Sequence, residues 1–233
     1  MERVPAFVSV VFMLTTFVTV GIFIHMVRRS GTDTWAARLA LFAVPFWLVF
    51  QFVVGSAGFY TNTAALPPRM FVFGVAPALL FIAGIFIFAR STFVASLPLT
   101  ILTIIHIVRI PVELTLAWLA DAHAVPQVMT FRGTNFDIWS GLTAPIALYF
   151  AYTKARMSWG VLLIWNISAL LLVLNIVITA ILCVPSPIQQ LAFDQPNIAV
   201  LYSPYIWLPT VIVPIVFFSH FASLYQLFTR KQR

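Results

Sequence analysis

Long apolar runs, broken by short polar segments, dominate this chain. They lie near 6–27, 36–59, 69–89, 93–120, 136–153, 158–184 and 203–228, and they are continuous rather than alternating. Most reach the roughly 20 residues that carry an α-helix across a hydrocarbon core. A transmembrane β-barrel would instead show segments of about ten residues that alternate in polarity. The pattern predicts an all-α, polytopic membrane protein: a single domain, 1–233, of seven transmembrane helices. Connections one–two, three–four and five–six are short, while those at 60–68, 121–135 and 185–202 are longer. No internal repeat is visible, so inverted-repeat transporter architecture has no support in the sequence. The first run is long for a leader's apolar core, lacks a basic flank of any size and ends at Arg28-Arg29, so it reads as the first membrane helix.

Composition agrees, with 62% hydrophobic and 8% charged residues, values that no soluble domain shows. Charge distribution adds an orientation. Arg28, Arg29, Arg38, Arg90, Lys154, Arg156, Arg230, Lys231 and Arg233 fall on one side, and Arg3, Arg69 and Arg132 on the other. The positive-inside rule places the larger group in the cytoplasm, with the N-terminus outside and the C-terminus inside. Four acids, Glu2, Asp121, Asp137 and Asp194, fall on the outer side. The basic residues are scattered over helix ends, so the net charge of +7 does not indicate a nucleic-acid partner. The lone cysteine, Cys183, excludes an intrachain disulfide and a dithiol site. The only lysines, Lys154 and Lys231, sit at helix ends, so a retinal Schiff base in the last span is excluded.

Prolines 45, 77, 98, 111, 145, 209 and 214 fall within the predicted spans. Each removes a backbone donor and frees the carbonyl four residues earlier. Inside a bilayer those carbonyls need partners from neighbouring helices or polar side chains. Pro111 stands between Arg109 and Glu113, which favours an opening in the bundle there.

The fourth span carries the chemistry. His106, Arg109 and Glu113 are spaced i, i+3, i+7 and share one helical face. An ionisable group at bilayer depth costs about 2.5–3.5 kcal/mol on insertion scales, so this face must look into the bundle. Arg109 and Glu113 are spaced to form an i,i+4 ion pair, or else to meet a ligand. The following segment, Met129 to Asp137, contains Thr134 three residues before Asp137, a pattern that makes Thr134 a helix cap. Folded over the outer mouth, that segment would bring Asn135, Asp137 and Arg132 to a pocket rimmed by Arg69 and floored by Arg109 and Glu113. Arginines outnumbering acids would suit a carboxylate or phosphate. The candidate ligand-binding residues are thus Arg109, Glu113, Arg69, Asn135, Asp137 and His106.

His106 and His220 are expected at similar depth on different helices, the arrangement that holds a b-type haem. No zinc-binding spacing occurs. Gln51, Asn166 and Asn175 read as helix–helix glue. Trp118, Trp139, Trp207, Tyr60, Tyr202 and Tyr205 group at the outer interface, as in an aromatic belt.

Several stretches carry a resemblance. They are Pro67-Pro68-Arg69, Arg109-Ile110-Pro111-Val112-Glu113, Met129 to Asp137, Ser140 to Pro145, and Trp207-Leu208-Pro209 with Val213-Pro214 and His220. Together they resemble a family of bacterial seven-helix inner-membrane proteins with no known activity. That family carries an acid at the position of Arg132 and an arginine at that of Thr134, so this chain reverses the local charge. The resemblance implies a multi-pass protein of the bacterial inner membrane. The residues themselves lead to a non-enzymatic protein of the lipid bilayer, a transporter or sensor with no cofactor. It would bind a small polar or anionic ligand in an outward-facing intramembrane pocket. Two alternatives stay open: a redox protein or enzyme using His106 and His220 with haem or a metal, and a structural subunit of a membrane complex.

Overall fold

Seven principal helices build the protein, and no strand occurs among the described residues. The structure is a computed structural model describing residues 3–31, 33–154 and 157–230. Glu2, Arg156, Lys231 and Arg233, used above for orientation, lie outside the described residues. Helix α1 is Ala6–Arg29, α2 is Trp35–Ser56, α3 is Phe71–Ala89 and α4 is Leu99–Asp121. Helix α5 is Ile138–Leu148, prolonged by a π turn at Tyr149–Thr153. Helices α6 (Trp159–Cys183) and α7 (Leu208–Thr229) complete the bundle.

Six of the seven are long and apolar enough to cross a membrane. The exception is α5, whose eleven α-helical and five π-helical residues cover about 24 Å at 1.5 Å per residue. That falls short of a hydrocarbon core of about 30 Å. Fourth-span residues 93–98 are not part of α4. They form a 3-10 turn at Val94–Ser96, and Leu97 and Pro98 are extended. Pro98 has no N–H to offer and biases Leu97 away from helical geometry.

Side-chain bonds show which helix ends meet. Ser9 Oγ on α1 lies 2.8 Å from Tyr205 Oη before α7, and Ser203 Oγ donates to Phe52 O near the end of α2. Phe7 packs edge-on against Trp118 near the end of α4. At the opposite end, Gln226 Nε2 donates to Val94 O and Leu97 O, and Trp159 Nε1 donates to Leu227 O. Helices α4 and α7 are central, with 61% and 72% of their apolar windows buried against 17–39% for the other four long helices.

Two of the carbonyls freed by proline find the partners that an apolar surrounding demands. Pro77 frees Phe73 O, which accepts from Gln51 Nε2 at 3.0 Å, and Tyr60 Oη in turn donates to Gln51 Oε1. Pro214 frees Thr210 O, which accepts from Trp47 Nε1 at 3.0 Å. A wide π turn precedes each of these prolines, at Phe71–Val75 and Leu208–Ile212. The belt expectation is corrected for three residues. Tyr60, Tyr205 and Trp207 are buried because their polar atoms bond inside the bundle, Trp207 Nε1 to Leu48 O. Trp139 and Tyr202 are exposed.

Close helix approach depends on small residues, as in membrane bundles generally. A β-carbon on Gly141 of α5 would lie 2.8 Å from Ile110 Cγ1, 3.2 Å from Ile110 N and 3.3 Å from His106 O. Gly141→Ala is therefore expected to destabilise the protein by about 1–3 kcal/mol. Gly160→Ala, with nothing within 4 Å, is expected to be neutral or slightly stabilising. Thermal denaturation in mild detergent compares the two, and equal melting temperatures would contradict the close α4–α5 contact.

Candidate functional site

The polar centre begins where α4 tightens. Ile105–Val108 forms a 3-10 turn inside the helix, and α-helical geometry resumes at Arg109. Pro111 follows two residues later and cannot donate to Ile107 O, so regular bonding is already broken at this point. Arg109 emerges from the turn fully inside the protein, 3% exposed.

Its guanidinium joins four helices. Nη1 donates to Ala169 O of α6 at 3.1 Å, and Nη2 lies 2.7 Å from His220 Nε2 of α7. An arginine only donates, so His220 Nε2 is the acceptor and the ring proton is on Nδ1. Nδ1 then donates to Asn166 Oδ1 at 2.9 Å. Asp137 Oδ1, at the start of α5, lies 3.0 Å from Arg109 Nη1. No N–H points along that line, so the contact is an ion pair rather than a directed hydrogen bond.

Glu113 takes a different partner. Asn135 Nδ2 donates both to Glu113 Oε1 and to Met129 O, while Asn135 Oδ1 accepts from the Asp137 backbone N–H at 3.0 Å. One asparagine thus connects the Glu113 carboxylate to the backbone of Asp137. Among the described residues Arg109 and Glu113 form no ion pair, which corrects the i,i+4 expectation. Helical side chains tilt toward the N-terminus, and the acid-before-base order is the favoured one. Here the base comes first, so Arg109 leans away from Glu113 toward His220.

Arg109, Glu113 and Asp137 share the wall of a cavity of about 170 Å³. Helices α3, α4, α6 and α7 enclose it, and apart from these three residues and Asn197 its lining is almost wholly apolar. Glu113 Oε2 and Arg109 Nε are buried with no hydrogen-bond partner among the described residues. A second cavity of about 200 Å³, lined by Phe23, Trp47, Phe93 and Phe218 among others, touches no charged side chain.

The expected site residues divide. Arg109, Glu113, Asn135 and Asp137 come together. Arg69 does not, because its Nη1 donates to Phe59 O at 3.3 Å and its guanidinium sits over the Phe59 ring. Arg132 pairs instead with Asp121 at 2.6 Å, half-exposed on both sides. Thr134 is not the cap of α5. Its hydroxyl donates to Val128 O, and the residue before the helix is Asp137, whose carboxylate is drawn to Arg109 rather than to backbone N–H groups. Ala169 O and Asn166 were missed as parts of the site, the first because a backbone carbonyl leaves no sequence signal. Asn175 serves as expected for a helix tie, donating to Thr134 O.

His106 and His220 do meet, with ring centroids 4.1 Å apart and planes 21° from parallel. Stacked rings leave no gap for a macrocycle, and Arg109 occupies His220 Nε2. This geometry does not fit axial haem ligation. Among the described residues neither nitrogen of His106 has a hydrogen-bond partner, and its ring also meets Trp165 edge-on. Among the described residues no group of three or more metal-ligating side chains forms.

These features define an all-helical bundle fit for multi-pass membrane insertion, with a buried ionic centre. Comparison with family models, with curated proteins and with solved structures finds no match to the chain. The ionic centre makes a thermodynamic prediction. Asp137→Ala leaves Arg109 without its counter-charge and is expected to cost about 3–5 kcal/mol. Arg132→Ala removes only a half-exposed pair, which is worth about 0–1 kcal/mol. Unfolding in mixed detergent micelles measures both, and similar losses would contradict the assignment of Asp137 as the buried partner.

Proposed function

We propose that the protein is a non-enzymatic, seven-span membrane protein, a transporter or sensor, that binds a small polar ligand in the Arg109–Glu113–Asp137 cavity. One observation carries this reading. Among the described residues a buried carboxylate oxygen, Glu113 Oε2, has no hydrogen-bond partner, and Glu113 lines the cavity. Intramembrane ionisable groups mark ligand or ion pathways by default, and an unsatisfied buried acceptor costs about 1–3 kcal/mol or more. A bound donor offsets that cost. Arg109 is already engaged three times, which weighs against the anionic ligand that the arginine count suggested.

The positive-inside rule supports an N-out, C-in orientation. Arg28, Arg29, Arg90 and Lys154 stand at the end where Gln226 and Trp159 make their ties. The resemblance noted above supports the bacterial inner membrane. Short α5 supports a seventh crossing only if the segment before it dips into the bundle. Burial of Met129, Thr130, Asn135 and Asp137 agrees with that, since non-helical backbone at membrane depth is tolerated where protein covers it.

A structural-subunit reading is favoured by one feature: Arg109 closes contacts among α4, α5, α6 and α7 without any ligand. The two readings differ at Glu113. Membranes containing the protein are treated at mildly acid pH with diisopropylcarbodiimide, a small apolar reagent that adds to carboxyl groups. The Glu113 peptide is then weighed by mass spectrometry. One added carbodiimide on Glu113, absent in Glu113→Gln, is the expected result. An unmodified Glu113 means a closed cluster and sinks the ligand-binding reading.

A further inference from the structure

We propose that the occupant of this cavity is a single-chain amphiphile with a hydrogen-bond-donating head, a hydroxyl or ammonium, that enters sideways from the bilayer. The inference rests on the ligand-binding reading above and names its ligand class.

Three observations carry it. The first is the polarity of the open atoms. Asp137 alone pairs with the guanidinium, and among the described residues the atoms of this charged trio without a hydrogen bond are two acceptors against one donor: Asp137 Oδ1 and Arg109 Nε within the ion pair, and Glu113 Oε2 outside it. An anionic head would face that oxygen with another acceptor, whereas an ammonium or hydroxyl supplies the missing donor. The second is the lining. Beyond the polar end, the walls from α3 and α6 are apolar, including Leu79, Val173, Ile176 and Val177. A water-soluble solute would lose hydration against them without compensation.

The third is size and placement. A cavity of about 170 Å³ is close to the roughly 150 Å³ that takes up benzene. It accommodates a head and the first few methylenes, not a whole chain. The remainder must leave the protein. Leu79 on α3 is 43% exposed and Val177 on α6 is only partly buried, so the cavity reaches the apolar surface between these helices. The tail continues there into hydrocarbon at about 0.8 kcal/mol per methylene relative to water. The other cavity supplies none of this, having no charged group to select a head.

The test uses the full chain in phosphatidylcholine vesicles and a hexadecylamine bearing a mid-chain diazirine. After illumination, labelled residues are mapped by mass spectrometry. Tandem mass spectrometry resolves the label residue by residue, and it concentrates on Leu79 and Val177 above the level at the exposed control residues Leu80 and Leu171. Excess hexadecylamine or hexadecanol suppresses it, and which competes better tells ammonium from hydroxyl. Glu113→Gln keeps an acceptor for Asn135 but turns a donor toward the cavity, and lowers labelling about tenfold, the loss expected for one charge-assisted hydrogen bond.

Three results overturn the inference. Labelling equal to that of Leu80 and Leu171, with no competition, means no amphiphile site. Competition by hexadecyl sulfate means an anionic head. Equal competition by butylamine means a soluble ligand. In the last two cases ligand binding at Glu113 stands and only the ligand class falls. An unreactive Glu113 in the carbodiimide experiment defeats both. Competition in the unmodified protein decides the matter even if Glu113→Gln does not fold.

Discussion

Arg109 is the constraint that the rest of this bundle answers to. A guanidinium cannot shed its charge, so the fold must bring compensation to it. It does so from three neighbouring elements: a carboxylate from the start of α5, a carbonyl from α6 and an imidazole from α7. Each partner is itself fixed. Asn166 orients His220, and Asn135 holds the backbone N–H of Asp137. Hydrophobic burial does not drive helices together inside lipid as it does in water. Directional contacts of this kind therefore set which helices are neighbours and at what height.

The other half of the bundle uses backbone carbonyls for the same purpose. Prolines open the ladders of α3 and α7, and Gln51 and Trp47 of α2 close them again. Trp207 and Ser203, near the start of α7, bond to carbonyls of α2 in return. Helix α7 thus serves both halves, meeting the ionic centre through His220 and the proline-broken region through Thr210. Its burial, the greatest of the long helices, follows from that double role.

Much of this was legible in the chain. Run lengths gave six helices to within a few residues, and the rule that proline-freed carbonyls need partners anticipated what Gln51 does. The face shared by His106, Arg109 and Glu113 does point inward. The failures have local causes. Pairing Arg109 with Glu113 by spacing ignored the tilt of helical side chains, and Asp137 won because short α5 starts deep in the bundle. Length was the available signal: the fifth run, 136–153, was the shortest of the seven. Arg69 was placed at the rim by side of membrane alone, a coordinate too coarse to tell it from a residue that bonds its own neighbour, Phe59. Aromatic residues near an interface were read as a belt, but a Tyr or Trp polar atom serves a freed carbonyl or a buried amide as readily as it serves water.

Counting arginines suggested an anion, and counting satisfied atoms reverses that conclusion. Arg109 spends both Nη groups on the protein and leaves only Nε unbonded, whereas among the described residues Glu113 Oε2 has neither an ion-pair nor a hydrogen-bond partner. The two carboxylates are not independent, because Asn135 donates to Glu113 and accepts from the Asp137 N–H. A donor arriving at Glu113 therefore acts one side chain away from the counter-ion of Arg109, and two away from the α4–α5–α6–α7 junction. The cavity wall and the packing of four helices are parts of one network of hydrogen bonds closed by an ion pair. In the proposed site such a network would let a ligand head at Glu113 be felt by the bundle without any contact between ligand and α7's histidine.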